Sequence, residues 1–174
     1  YNLKEQQFRL SKKKINVISS NDTLVIDQIS MVRADLLDAV DSVLRRFRKN
    51  NLPFGGVQMV MIGDLGQLAP VAKDDEWQML SRYYATPYFF SSLALQRTRY
   101  AIVELTKVYR QSDKRFLDIL NKVRENRADA AVLSALNSRY IPDFKPRKED
   151  GYIRLTTHNW QAQRINDHEL EQLP

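Results

Sequence analysis

The sequence predicts an α/β fold, a largely parallel sheet with flanking helices, from three features. An apolar run, Leu24-Val-Ile26, ends on the acid Asp27, and a longer one, Val57-Gln-Met-Val-Met-Ile62, ends on Gly63-Asp-Leu-Gly-Gln-Leu-Ala-Pro-Val71. Short apolar runs of this type read as buried strands, each delivering a polar cluster from its C-terminal end, as at the floor of a cleft in an open sheet. Between them Leu36, Leu37, Val40, Val43, Leu44 and Phe47 recur at the three-to-four spacing of an amphipathic helix. Strands alternating with helices place the strands in parallel.

Taken in order, Ser11 to Ser19 reads as a short basic helix whose Lys12-Lys-Lys14 run is a solvated face, followed by a turn at Asn21-Asp22 and the strand Thr23 to Ile26. The helix from Ala34 to Lys49 leaves Asp35, Asp38, Asp41, Arg45 and Arg48 for solvent. Asn50-Asn-Leu-Pro-Phe-Gly-Gly56 is turn chemistry before the strand Val57 to Ile62. Asp74 to Tyr84 and Ser92 to Thr98 read as helices on either side of Pro87 and the aromatic piece Tyr88-Phe-Phe90. Tyr100 to Leu105 reads as a third strand, and Asp113 to Asn126 as a helix. A boundary between two partial lobes is expected at residues 106–111, dividing the chain into 1–107 and 108–174. Beyond it come a further helix, an exposed basic loop from Pro142 to Gly151, a short strand Tyr152 to Leu155 and a last helix from about Trp160.

Composition narrows the function class. With 43% hydrophobic residues a real core can form, and 27 Lys+Arg against 21 Asp+Glu give a net charge of +6, which suits a polyanionic partner or an ordinary soluble surface. The absence of cysteine removes disulfides and thiolate metal sites and makes a reducing compartment the simplest setting, and two histidines leave no multi-histidine zinc site. No apolar stretch approaches a membrane span. A soluble, intracellular protein is expected. None of the five glycines, Gly55, Gly56, Gly63, Gly66 and Gly151, begins a G-x-x-x-x-G-K-[ST] phosphate loop. With Tyr1 at the start and Leu173-Pro174 at the end, the chain reads as an internal piece of a larger enzyme.

Four constellations carry possible chemistry. Asp27, with Gln28 after it, stands where a rigid strand-end carboxylate serves magnesium beside transferring phosphates, although an acid after an apolar run is common by itself. Gly63-Asp64-Leu-Gly-Gln67 offers a glutamine on a loop after a central strand, able to report a γ-phosphate; its bland alternative is a turn freed by Gly63 and Gly66 and capped by Asp64. Arg110 could stabilise charge on the transferred phosphate, or could be a surface arginine before a helix. Thr156-Thr-His-Asn159 offers hydroxyls, a ring and an amide to a sugar-phosphate backbone, or a helix cap made by Thr157 or Asn159. Trp77, Tyr83, Tyr84, Tyr88, Phe89 and Phe90 could stack bases or, for the most part, fill the core.

Leu24-Val-Ile-Asp-Gln-Ile-Ser-Met-Val32, Gly63 to Val71, Leu105-Thr-Lys-Val-Tyr-Arg-Gln111 and Leu155-Thr-Thr-His-Asn159 with Asn166 resemble, in order and spacing, the motifs of the Pif (petite integration frequency) helicases of the RecD-like branch of superfamily one. The resemblance implies a RecA-like lobe of the P-loop NTPase fold, incomplete here, followed by the start of a second. It implies ATP and Mg2+ as cofactors, Asp27 as the Walker B acid at the magnesium, Gln67 as γ-phosphate sensor and Arg110 as the arginine from the second lobe. It implies 5′ to 3′ movement on single-stranded DNA, unwinding at single-strand/duplex junctions by a monomeric motor completed by the rest of the helicase, and a strand path at Pro70, Val71, Thr157, His158 and Asn159. Where that family reads Asp-Glu, this chain reads Asp27-Gln28, and an amide cannot take a proton from water. Ala69 stands for the first of two family prolines. The sequence therefore also allows a non-catalytic nucleic-acid-binding or regulatory module, while a metal nuclease would need more carboxylates than Asp27 and Asp64.

Overall fold

The computed structural model describes residues 11–147 and 150–172, so the two chain ends and residues 148–149 of the basic loop lie outside the described residues. The chain forms two compact units, one up to Leu117 and one from Asp118.

The first unit is built on helix α2, Ala34–Arg48, and two strands, β1 (Thr23–Ile26) and β2 (Gln58–Met61). The strands pair in parallel, with Ile26 opposite Met61. Their side chains alternate: Leu24, Ile26, Met59 and Met61 pack towards a core of Leu37, Leu44, Phe54, Val57, Ala94 and Leu95, while Val25 and Val60 are exposed on the other face. A parallel sheet ordinarily has helices on both faces; among the described residues only one face is covered, and both runs therefore read as more buried than they are.

The polar residues of α2 correct the expectation that they face solvent. Asp41 is buried, and its Oδ1 accepts the Phe54 N–H at 2.6 Å, holding that residue in a left-handed turn (φ 53°). Next to it Gly55 is required, because a Cβ there would lie 2.8 Å from the Leu44 carbonyl oxygen. Asp38 accepts from Tyr84 Oη (2.9 Å), Ser92 Oγ (2.5 Å) and the N–H groups of Leu93 and Ala94 (3.1 and 2.9 Å). It thereby caps the short helix α4, Leu93–Gln96, across a long sequence gap. Arg48 donates to the carbonyls of Ser19, Asn21 and Gly55, closing the end of helix α1, Lys12–Ser20, onto α2. Conversely Leu36, expected in the core, is exposed. Period alone counts apolar positions; which carboxylate meets a loose backbone amide depends on chain that arrives from far away.

Helix α3 spans Asp74–Leu80 and stops short of Tyr84, whose hydroxyl is drawn to Asp38. Phe89 packs against the core whereas Phe90 is exposed. The third strand expected at Tyr100 to Leu105 does not form, and Ile102, Val103 and Leu105 are more than three-quarters exposed. Tyr152 to Leu155 likewise forms no strand. Both segments have the composition of strands, but a strand exists only when a neighbour takes up its backbone groups, and no described segment does so.

The second unit takes up most of helix α5, Lys114–Arg124, then α6, Ala130–Asn137, and α7, Asn159–Leu170. Asp129 caps α6 by accepting the Val132 N–H at 2.8 Å, which lowers its carboxyl pKa, and Val132 is buried. Phe144 and Tyr152 meet edge to face at 5.0 Å.

Candidate functional site

Parallel pairing brings the first two sequence clusters together. The ladder runs past the strand ends, with Ile62 donating to the Ile26 carbonyl and Ile29 donating to the Ile62 carbonyl, each at 2.9 Å. Asp27 and Gln28 bridge Ile26 to Ile29, and Gly63 follows Ile62, so both clusters leave the same edge of the sheet. A Cβ on Gly63 would lie 2.9 Å from Ile29 Cγ2 and 3.1 and 3.2 Å from the Ile29 and Ser30 nitrogens. Gly63 is thus needed for close approach, where the sequence suggested turn flexibility.

Asp27 and Gln28 are both exposed at this edge. Asp27 Oδ1 accepts the Gln28 N–H at 2.8 Å, and Gln28 adopts a left-handed conformation (φ 54°, ψ 42°) before the turn Ile29–Met31. A side chain held in that region costs about 1 kcal/mol, tolerated here because the ladder bond from Ile29 fixes the chain on its far side. Asp64 organises the second cluster: its Oδ1 accepts the Gly66 N–H (2.9 Å), its carbonyl accepts the Gln67 N–H (3.1 Å) and its Oδ2 accepts from Gln67 Nε2 (3.4 Å). Gln67 therefore sits exposed on a closed Asx turn, its amide turned back to its own loop.

Among the described residues no group of three potential metal ligands exists. A magnesium ion needs no such group, because Mg2+ is commonly held by one or two carboxylates and completed by water and phosphate oxygens. Asp27 suits that arrangement, an exposed carboxylate held in place through Oδ1.

Further along the loop Pro70 is buried and Val71 is 80% exposed. Pro70 forms part of a recess of about 360 Å³, lined also by Ala72, Asp74, Trp77, Pro87 and Tyr88. Its two walls share one anchor. Arg33 joins Tyr88 through the backbone, its guanidinium reaches Glu76 Oε2 at 2.5 Å and Asp35 at 2.8 Å, and the Ala34 N–H donates to the Pro87 carbonyl at 2.9 Å. The Asp35 hydrogen bond, followed by that to Glu76, raises the guanidinium pKa against its burial. Sequence reading missed Arg33 altogether. Its only signal was the spacing Arg33-x-Asp35, and the Glu76 partner is invisible without the fold.

Arg110 is exposed at a bend in an irregular stretch, and no hydrogen bond or ion pair joins it to Asp27 or Gln67 among the described residues. In the second unit Thr157 Oγ1 meets His158 Nδ1 at 2.9 Å, and the Thr156 hydroxyl donates to the His158 carbonyl. The N-cap of α7 is His158, without a side-chain cap bond, so neither Thr157 nor Asn159 caps the helix. All three, Thr157, His158 and Asn159, are exposed. Trp160 lies beside them, 6.3 Å from the His158 ring and under the Arg164 guanidinium at 5.9 Å.

A profile described as "PIF1-like helicase" matches residues 2–132. The chain belongs to the PIF1-like helicase family. It is 38% identical over 154 residues to the ATP-dependent DNA helicase PIF1 of Homo sapiens, covering 87% of this chain and 22% of that protein. It is 46% identical over 101 residues to RRM3 of Saccharomyces cerevisiae, covering 58% and 13%. Pif1 helicase from Bacteroides in complex with ADP-AlF3 and ssDNA superposes with a TM-score of 0.85 at 37% identity, over 95% of this chain and 39% of that one. Bacteroides Pif1 bound to ssDNA gives 0.81 at 39% identity, over 93% and 38%. The fold is therefore the RecA-like α/β fold of these helicases, and the chain spans about a fifth of human PIF1 and under two-fifths of the Bacteroides chains.

Proposed function

We propose that this chain supplies the nucleotide-sensing edge of an ATP-dependent motor that moves 5′ to 3′ on single-stranded DNA and opens duplex or folded DNA. The observation that carries this is the parallel pairing of Ile26 with Met61 and its extension to Ile62, which sets Asp27-Gln28 and Gly63 to Gln67 side by side at one strand edge. The 5′ to 3′ direction, the single-strand/duplex junctions and the monomeric working state are the family expectations carried forward. Residues 1–107 belong to a first RecA-like lobe and 108–174 to the start of a second, and the protein works inside the cell.

In this reading Asp27 would hold Mg2+ beside the phosphates of ATP, and a bound ion would supply positive charge to offset theirs. Gln67 turns from Asp64 towards the terminal phosphate, and because its loop continues into Pro70 and Val71 the turn is passed to the DNA side. Arg110 is brought to the phosphates from the second lobe. Thr157, His158 and Asn159 line the strand path. Gln28 favours a second reading, a module that binds nucleotide and DNA with little turnover, since its amide cannot act as a general base.

The two readings separate in a polypeptide that also carries a phosphate-binding loop, assayed for single-turnover ATP hydrolysis with and without single-stranded DNA. The motor reading expects DNA-stimulated hydrolysis that Asp27→Ala abolishes. Hydrolysis indifferent to Asp27→Ala would overturn it.

A further inference from the structure

We propose that the outer surface of the α1–α2 layer binds the phosphate backbone of duplex DNA. This rests on the DNA-motor reading and adds to it a second DNA surface, separate from the single-strand path. Each acid of α2 is engaged within the fold: Asp35 by Arg33, Asp38 by Tyr84 and α4, and Asp41 by the Phe54 amide. Arg45 and Arg48 are likewise engaged, by Asp41 and by the carbonyls of Ser19, Asn21 and Gly55. What remains outside is cationic. Lys12, Lys13 and Lys14 on α1 and Arg46 and Lys49 at the end of α2 are exposed, and none of them joins an ion pair among the described residues. Helix α1 itself contains no acid, and the exposed acid nearest to it in sequence, Asp22, follows its far end.

The lysines stand where local physics disfavours them. They occupy the first turn of α1, whose backbone end carries partial positive charge, and they repel that end and one another. Such a cluster lowers stability unless an anion offsets it, and no described residue supplies one. The helix beneath them is fixed. Ser11 accepts the Lys14 N–H at 3.4 Å, Ile18 packs on the core, and Ser19 Oγ donates to the Phe47 carbonyl at 3.2 Å. The surroundings of the cations select the partner. Val17 and Leu36 are the large apolar side chains exposed on these two helices, too little for the apolar centre of a protein interface. Phe47 is half-buried with the Arg46 guanidinium 5.4 Å from its ring centre, so no aromatic plane lies open to an unpaired base. A duplex keeps its bases stacked inside and presents phosphates, about one charge per 1.7 Å of its axis. Lysine, a mobile point charge, suits that sequence-independent contact.

The test is fluorescence anisotropy with the 174-residue chain over a salt series. The probes are a labelled duplex of about 16 base pairs and an oligothymidylate about 16 nucleotides long. The combined variant Lys12→Gln, Lys13→Gln, Lys14→Gln is expected to weaken duplex binding about 10-fold at low salt. It should also lower the slope of log K against log salt by about 2, since successive helical side chains cannot all face one backbone. The same variant should hold the oligothymidylate within about 2-fold of the parent chain. Its urea midpoint should rise slightly, because repulsion at the helix end is relieved. Arg139→Gln, Lys145→Gln, Arg154→Gln, which together remove equal charge from the second unit, are expected to leave duplex binding within about 2-fold. Unchanged duplex binding by the α1 variant overturns the proposal, as does an equal loss on both probes or in the second-unit variant. A lower urea midpoint, which would make the lysines structural, also overturns it, and so does a labelled polyglutamate peptide bound as tightly as the duplex. If the unmodified chain binds the oligothymidylate and not the duplex, the surface fails and the motor reading stands; binding of neither overturns both.

Discussion

Gln28 and Gly63 each lie just past a strand end, and each is constrained for a different reason. Gly63 has no room for a Cβ against Ile29 and Ser30. Gly63→Ala is expected to destabilise the first unit by about 1 to 3 kcal/mol, measured by urea unfolding, because the backbone amides it meets cannot move without breaking the Ile29 to Ile62 bond. Gln28 has an exposed side chain and a strained backbone, so Gln28→Glu should leave stability nearly unchanged. In a polypeptide completed by a phosphate loop, that substitution is expected to raise single-turnover hydrolysis by about 10² to 10⁴ with nucleotide affinity little altered, since it restores a group able to accept a proton from water. Equal rates in the two forms would show that another residue activates the water.

Among the elements, α2 acts as the organiser, and Asp38 is one of its most connected polar residues. Tyr84, α4 and α2 are joined at that carboxylate. Burial, then the hydrogen bond from Tyr84 to Asp38 and the charges of Asp38 and Asp35, pushes the Tyr84 phenol well above its usual pKa. Because the folded value exceeds the unfolded one, about 10, the resulting stability is complete below pH about 10 and fades as pH rises towards the folded value. Tyr84→Phe is expected to cost about 1 to 2 kcal/mol at neutral pH, and the gap from the unsubstituted chain should narrow on alkaline titration. A gap that widened with pH would place the phenol elsewhere. The strands rest on the core that α2 shares with its neighbours: Leu24, Ile26, Met59 and Met61 pack against it, while Val25 and Val60 stay exposed on the other face.

At the scale of the whole chain, the 174 residues contain no G-x-x-x-x-G-K-[ST] loop and carry a net charge of +6. The chain by itself is therefore expected to show no ATPase above background, with or without DNA, and hydrolysis abolished by Asp27→Ala would contradict this. Binding to single-stranded DNA is expected to be weak and to fall steeply with salt, because phosphate contacts release counterions. A titration repeated across a salt series decides this, and an affinity independent of salt would remove phosphate contact as its basis.

Local pattern was enough to determine β1, α2 and β2 closely, since each rests on a period or an apolar run that few alternatives satisfy. The positions of Asp27 and Gln28 at a strand end and of Gln67 on the loop after β2 were likewise legible, because a strand-end acid and a glycine-flanked glutamine are visible in order along the chain. Tertiary structure alone decided what those residues meet. Asp38 and Asp41, which look like solvent-facing charges in a helical period, are anchors for amides brought from Ala94 and Phe54. Arg33 is set by an ion pair with Glu76, and Tyr100 to Leu105, strand-like in composition, remains unpaired because pairing needs a neighbour. Periodicity measures which side of an element is apolar, whereas a hydrogen bond across a long stretch of chain depends on where that chain returns.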